Sequence, residues 1–467
     1  MIRFGTAGWR GVIGEEFTFQ NVRIVSQAIA NYLRMKGLAD RGVIVGYDTR
    51  FLSEKFAFEC AKVLAGNKVS TLLCERDTPT PVLAYEVMNS SLAGAINFTA
   101  SHNPPEYNGL KFSDEDGAPA MSEVTQALED EIDKLMNKSD IHFYYVDKSY
   151  IETFVAQDNY LESLKAKVRI DKIAASGIKI AVDPLFGTAR DYVDKFLFDN
   201  GCLVFAIHNF RDPYFGGYGP DIAESNLAEL KKFVIDKKCD LGIATDVDAD
   251  RFAVINELGE YVNCNNIVTL LFEYLADKGY VENSIGRSIS TTHMLDRIAE
   301  HYKMNIIETP VGFKYLAQLL KKNEIEIACE ENGGFSLKEH IPEKDGILAG
   351  LLISEVVAER KMPLSQLVEK MHNRFGPLFY ERRNFSLSYK LRNRVEKICK
   401  NPPDKIAGKK IVKVNNIDGL KLYLDGNDWI LIRISGTEPV VRIYIESDKR
   451  ETVDELLTKT KILLKLE

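Results

Sequence analysis

Apolar runs of strand length alternate with amphipathic stretches of helix length along most of this chain. "VIVGY" is followed by "SEKFAFECAKVLAG", and "STLLCE" by "TPVLAYEVM". "IKIAVD" precedes "TARDYVDKFLFDN", and "SISTT" precedes "HMLDRIAEHYK". This alternation predicts α/β layers on mostly parallel sheets. Three such blocks can be drawn, 1–145, 146–255 and 256–372, with seams at the polar "NKSDIHFYYVDKSY" and after the hairpin-like "INELGEYV". The last block, 373–467, has another rhythm: a strand, a helix, the strands "KKIVKV", "LKLYL", "WILIRI" and "VVRIYIE", and a final helix. Short turns such as "LDGND" join these strands, which predicts an α+β unit. No low-complexity linker separates the blocks, so they are expected to pack into one body.

With 467 residues and a net charge of −8, the chain gives no reason to expect a nucleic-acid partner. No run of about 18 apolar residues marks a membrane span, and "MIRFGTAGWRG" lacks the apolar core of a secretory signal. The cysteines, at 60, 74, 202, 239, 264, 329 and 399, include no C-x-x-C pair. They read as reduced core residues of a cytoplasmic protein.

Five segments could carry chemistry. "NFTASHNPPEYNGLKF" leaves the small apolar run "LAGAIN" and at once displays Ser101 beside His102, then stiffens at Pro104 and Pro105. "LGIATDVDADRFAVIN" places Asp246, Asp248 and Asp250 at every second residue after a strand-like run. Carboxylates so close repel one another, and a hard divalent cation removes that cost. An EF-hand calcium loop would need glycine where Arg251 stands and helices where the flanks are strand-like. "LIRISGTEP" combines Arg433, Ser435, Gly436 and Thr437, a set of donors suited to a phosphate. "IACEENGGF" offers Glu330 and Asn332 on a glycine-rich turn, which suits sugar hydroxyls or a plain exposed turn equally. "FGTAGWRG" surrounds Arg10 with glycines. Each segment other than the last follows an apparent strand, and ligand sites in open α/β sheets gather at the carboxyl ends of strands. Brought to one cleft, they would serve phosphoryl transfer on a small phosphorylated polyol.

The motifs "TASHNP", "TDVDADR", "CEENGGF" and "RISGTEP" occur in the order seen in the α-D-phosphohexomutase family, the phosphoglucomutases and phosphomannomutases, and nearly the whole chain resembles it. The resemblance implies three similar α/β domains with mixed sheets and a C-terminal α+β domain around a central cleft. It implies a phosphate carried on Ser101, with His102 beside it, and Mg²⁺ held by Asp246, Asp248, Asp250 and a phosphoserine oxygen. Lys111 matches a general base, a role that needs a lowered lysine pKa. Arg10 matches an arginine near the reacting oxygens and is read as a charge stabiliser. Glu330, Asn332 and Lys314 match sugar contacts, while Arg433, Ser435, Gly436 and Thr437 match the phosphate clamp. Asn332 stands where the family usually has serine, and Ile434 where proline is common.

The implied reaction interconverts hexose 1- and 6-phosphates through a hexose 1,6-bisphosphate, with glucose 1,6-bisphosphate as activator. Phosphoglucomutase activity is the first expectation and dual phosphoglucomutase/phosphomannomutase activity the second. A Mg²⁺-dependent sugar phosphatase and a non-catalytic bisphosphate-binding protein are the other classes considered. The expected partners are small hexose phosphates, with no nucleic acid and no membrane. The expected assembly is a monomer or weak homodimer.

Overall fold

Strand Ala95–Phe98 is buried along its whole length. It shows how this chain builds a site: an apolar strand runs to the edge of the cleft, turns through a polar loop, and returns antiparallel as Tyr107–Ser113. The computed structural model describes residues 2–5, 8–137, 148–436 and 438–466. Four sheets organise them. In the first, Val43–Tyr47 lies parallel to both Thr71–Cys74 and Ala95–Phe98. Tyr107–Ser113 and Trp9–Val12 extend it antiparallel.

The second sheet repeats the scheme: Lys179–Asp183 is parallel to Leu203–Ala206 and Leu241–Thr245, and Leu241–Thr245 returns antiparallel as Phe252–Asn256. So does the third, where Ser284–Ser288 is parallel to Asn305–Thr309 and Ile327–Cys329, and Phe335–Leu337 returns antiparallel. The fourth sheet is antiparallel throughout, with Trp429–Ile434 returning as Val440–Ser447. The three α/β sheets are therefore mixed, as the family resemblance implies: most of their strands run parallel, as the alternation predicts, with one antiparallel return in each. The antiparallel returns are too local for the alternation of strand and helix lengths to reveal.

The expected block edges shift for similar reasons. Strand Ile151–Phe154, placed in the second block, pairs with Thr71–Cys74 in the first sheet; the edge at 145 itself lies outside the described residues. The edge at 255 cuts Phe252–Asn256, and Tyr261–Val262 pairs back onto that strand, so the hairpin belongs to the second sheet and the division falls after it. The edge at 372 falls within helix Leu364–Phe375. "SISTT" is a turn; the strand before it is Ser284–Ser288, whose buried Arg287 is neutralised by Asp296 and Glu308. Such a strand does not look apolar. Helix Val193–Asp199 fills only the end of "TARDYVDKFLFDN".

Side-chain pairs tie the domains together. Arg190 in the second donates to both carboxylate oxygens of Asp77 in the first, at 2.6 and 2.7 Å. Lys421 of the fourth is fully buried against the third, its Nζ donating to Ile289 O at 2.7 Å and to Glu308 Oε2 and His293 Nε2 at 2.9 Å. All three ammonium donors are thereby satisfied, although burial, with Arg287 nearby, brings Lys421 down to about 8. None of the cysteines is in a disulfide, and only Cys399 is not fully buried. Among the described residues, no helix is long and apolar enough to cross a membrane.

Candidate active site

The loop after Ala95–Phe98 is held from behind. Ser101 takes a left-handed backbone, φ +49°, which disfavours any side chain by about 1–2 kcal/mol. Its N–H donates to Thr99 Oγ1 at 2.9 Å. Arg50, fully buried, supplies most of the restraint. Its Nη2 donates to the carbonyls of Ser101 and Asn103 at 2.5 Å, and its Nη1 to those of Pro104 at 2.7 Å and Tyr107 at 3.1 Å. Nε pairs with the buried Asp48 at 3.1 Å. Every turn of the loop is thus tied to one guanidinium. Arg50→Met strands that carboxylate and four carbonyls. It is expected to cost roughly 3–5 kcal/mol of stability and to lower kcat more than it raises KM, as read from denaturant melts and steady-state rates.

Asp246, Asp248 and Asp250 follow the fully buried strand Leu241–Thr245 and are themselves buried. Each offers one oxygen within 4.8 Å of the others. The remaining contacts sort the carboxylate oxygens. Asp248 Oδ2 accepts from Thr80 Oγ1 and Lys111 Nζ, both at 2.5 Å. Asp250 Oδ2 accepts from Lys111 Nζ at 2.9 Å and pairs with Lys344 Nζ at 3.0 Å. Asp246 Oδ1 accepts the Arg251 N–H at 3.1 Å, and its Oδ2 accepts from Ser101 Oγ at 3.2 Å. Asp248 Oδ1 and Asp250 Oδ1 are buried with no hydrogen-bond partner. Unpaired buried carboxylate oxygens are costly, and a set of close, hard oxygens fits a small divalent cation.

The electrostatics follow from burial and crowding. Burial, then repulsion from Asp250 and Asp248, pushes Asp246 well above the usual carboxylate range. Burial works the same way on Asp250, but Lys111, Lys344 and Arg251 outweigh it and hold the group well below that range. Burial would lower Lys111, yet Asp248 and Asp250 leave it raised. The expected general-base role asks for the opposite direction: here Lys111 is an ammonium clamped between two carboxylates. His102 is driven well below its ordinary value by burial and by Arg251 and Arg10, so its ring is neutral. Burial, with Arg251 adding to it, brings Arg10 down to about 10.

Above this floor lies a cavity of about 640 Å³ whose walls come from all four domains. Arg10, His102 and Lys111 line it from the first domain. Lys314, Glu330 and Asn332 line it from the third, and Arg433 and Gly436 from the fourth. Glu330 is buried, its Oε1 accepting from the Gly312 N–H at 2.9 Å. Asn332 Oδ1 accepts from the Gly334 N–H at 3.1 Å and so shapes its own turn. Lys314 Nζ donates to Ser122 Oγ at 2.9 Å, towards the first domain. Arg433 Nε is held by Asp418 at 2.7 Å. Ser435 is buried, its N–H donating to Val440 O at 2.9 Å. Thr437 lies outside the described residues. Ser101, at 1% exposure, and the three aspartates sit beneath the cavity wall and not in it.

Sequence reasoning passes over Arg50, Thr80, Arg251, Lys344 and Arg382. Arg251 closes the motif "TDVDADR" and replaces an EF-hand glycine, but neither reading gives it a role of its own. Lys344 precedes Asp345, the N-cap of helix Gly346–Arg360, and so reads as an ordinary cap turn. Arg382 reaches from Phe379–Ser386 to Glu331 Oε1 at 3.1 Å, across the cavity from the third domain.

Comparison with known proteins agrees with this geometry. The chain matches the phosphoglucomutase/phosphomannomutase alpha/beta/alpha domain I over residues 1–139, domain II over 158–259, domain III over 263–375 and the C-terminal domain over 393–461. A Komagataeibacter xylinus phosphoglucomutase is 30% identical, the alignment covering 96% of this chain and 88% of that protein. A Thermococcus kodakarensis phosphoglucomutase/phosphomannomutase is 29% identical, covering 97% and 96%. A Clostridium tetani phosphoglucosamine mutase is 27% identical, covering 97% and 96%. A crystal structure from Thermus thermophilus assigned as a phosphomannomutase superposes with TM-score 0.86 at 30% identity over 99% of each chain. The fold also extends to Aspergillus fumigatus N-acetylphosphoglucosamine mutase, solved with GlcNAc-6P and magnesium, at TM-score 0.57 and 14% identity over 99% of this chain and 95% of that one. The chain belongs to the phosphoglucomutase/phosphomannomutase family, within the α-D-phosphohexomutases. It is a phosphohexomutase, an isomerase that acts by intramolecular phosphoryl transfer.

Proposed function

We propose that this enzyme interconverts glucose 1-phosphate and glucose 6-phosphate by way of a phosphate on Ser101 and a glucose 1,6-bisphosphate that turns over within the cleft. The observation that carries the reading is the position of Ser101 Oγ. It lies 3.2 Å from Asp246 Oδ2, in the same cluster as two carboxylate oxygens that lack a hydrogen-bond partner, and the next residue, His102, lines the cavity. Mg²⁺ bound by Asp246, Asp248 and Asp250 would neutralise charge on the transferred group.

The chain's own groups divide the remaining work. Arg50 holds the loop so that the donor meets substrate with little reorganisation. Lys111 and Arg10 carry positive charge to the moving phosphoryl oxygens. His102, neutral, lines the cavity next to the phosphate-bearing serine. Glu330 and Asn332 meet sugar hydroxyls, and Arg433, Ser435, Gly436 and Thr437 grip the phosphate that does not react. A clamp on phosphate alone suits a substrate that presents C1 and C6 in turn.

A coupled assay with Mg²⁺ tests the reading, using the 1-phosphates of glucose, mannose and glucosamine with and without trace glucose 1,6-bisphosphate. Glucose 1-phosphate should turn over fastest, and trace bisphosphate should raise its rate. A faster rate on mannose or glucosamine 1-phosphate overturns the glucose assignment. Release of free phosphate as fast as isomerisation overturns the mutase cycle in favour of a phosphatase.

A further inference from the structure

An arginine that grips a phosphate gives up rotamer freedom unless its planar fork is already held. Arg433 lies near the end of strand Trp429–Ile434, and its Nε donates to Asp418 Oδ2 at 2.7 Å. The same oxygen accepts the backbone N–H of Val311 at 3.0 Å. Val311 belongs to the third domain, Asp418 and Arg433 to the fourth. The next amide, Gly312 N–H, donates to Glu330 Oε1 at 2.9 Å. Two successive amides of one backbone segment are therefore held by two carboxylates, one in the sugar loop and one behind the phosphate loop.

The turn that carries Asp418 is pressed against the arginine it serves. Gly419 has φ +86°, and a Cβ there would stand 2.5 Å from Ile432 O and 3.1 Å from Arg433 Cα. Only glycine lets the turn lie this close. Val311, Gly312 and Arg433 line the cleft. Asp418 does not; it lines a separate recess on the other side of Arg433. Its role is thus exerted through another side chain.

We propose that Asp418 is a positioning residue for the mutase reaction, fixing the Arg433 fork towards the cleft and locking the fourth domain to the 311–312 segment that also steadies Glu330. The proposal rests on the reading of Arg433 as a phosphate clamp. One carboxylate oxygen accepts from both the guanidinium and the amide, so loss of that carboxylate frees both. Glu330 and Arg433 are thereby joined by a continuous path of contacts, through the Gly312 and Val311 amides and Asp418.

The test is a set of steady-state constants for both glucose phosphates in wild type, Arg433→Ala, Asp418→Ala, Asp418→Asn and the double alanine variant, with thermal melts of each. Asp418→Ala should raise KM for both isomers about tenfold, with a smaller change in kcat, as a lost charge-assisted contact implies. Asp418→Asn keeps an acceptor for Val311 and Arg433 and should recover part of that loss. The double variant should be no worse than Arg433→Ala, because the two residues act as one unit. A purely structural Asp418 would lower the melting temperature, leave KM unchanged in the folded enzyme and add its effect to that of Arg433→Ala; that pattern overturns the proposal. Unchanged KM in Arg433→Ala overturns the clamp reading itself. Raised KM in Arg433→Ala with unchanged KM in Asp418→Ala overturns only the role of Asp418. If Asp418→Ala does not fold, Asp418→Asn carries the test: a raised KM supports the proposal and an unchanged KM overturns it.

Discussion

Ser101→Ala is expected to lower kcat by on the order of a thousandfold or more, the scale seen when a covalent nucleophile is removed. The loop itself should survive. The substitution removes only Oγ, whose partner is Asp246. The Ser101 N–H still donates to Thr99, and the carbonyl still accepts from Arg50. The left-handed backbone at 101 penalises serine and alanine alike, so a near-complete loss of turnover is expected with little change in stability. A coupled assay alongside a thermal melt separates the two effects. Wild-type activity in the folded variant would remove Ser101 from the reaction.

Removal of the cation is the second large effect. Chelation should abolish turnover, and Mg²⁺ should restore it where Ca²⁺ does not, because the crowded aspartate site favours the smaller ion. Mg²⁺ should also raise the melting temperature, since a ligand that binds only the folded state stabilises it. Asp250→Asn should lose both responses and more. Asp250 is the shared partner of Lys111 at 2.9 Å and Lys344 at 3.0 Å, with Arg251 Nε at 3.8 Å from its other oxygen. Neutralising it leaves buried cations facing one another, at roughly 3–5 kcal/mol. Equal restoration by Ca²⁺, or an unshifted melt on adding Mg²⁺ to wild type, would contradict the site assigned here.

The chemistry legible in the sequence is the part packed into single loops. Ser101 with His102, the alternating aspartates, Glu330 with Asn332, and Arg433 with Ser435 each sit where one strand turns into its antiparallel return, so one short window holds both strand and functional group. The supporting groups come from far along the chain. Arg50 lies at the end of an earlier strand, and Thr80 begins a helix whose hydroxyl reaches Asp248 in another domain. Lys344 and Asp418 occupy turns with nothing unusual in their composition. Tertiary packing alone makes them part of the site. The same holds for Ser284–Ser288, where burial of a paired Arg287 conceals a strand that hydrophobic pattern cannot find. The polar Ile151–Phe154 is likewise recruited to a sheet edge by its neighbour and not by its own pattern.

Intact-mass and peptide mass spectrometry on the active enzyme tests the central claim most directly. One phosphate is expected, located on Ser101, lost on incubation with excess glucose 1-phosphate and regained from glucose 1,6-bisphosphate. A phosphate on another residue, or full turnover by enzyme that never carries one, would contradict that claim.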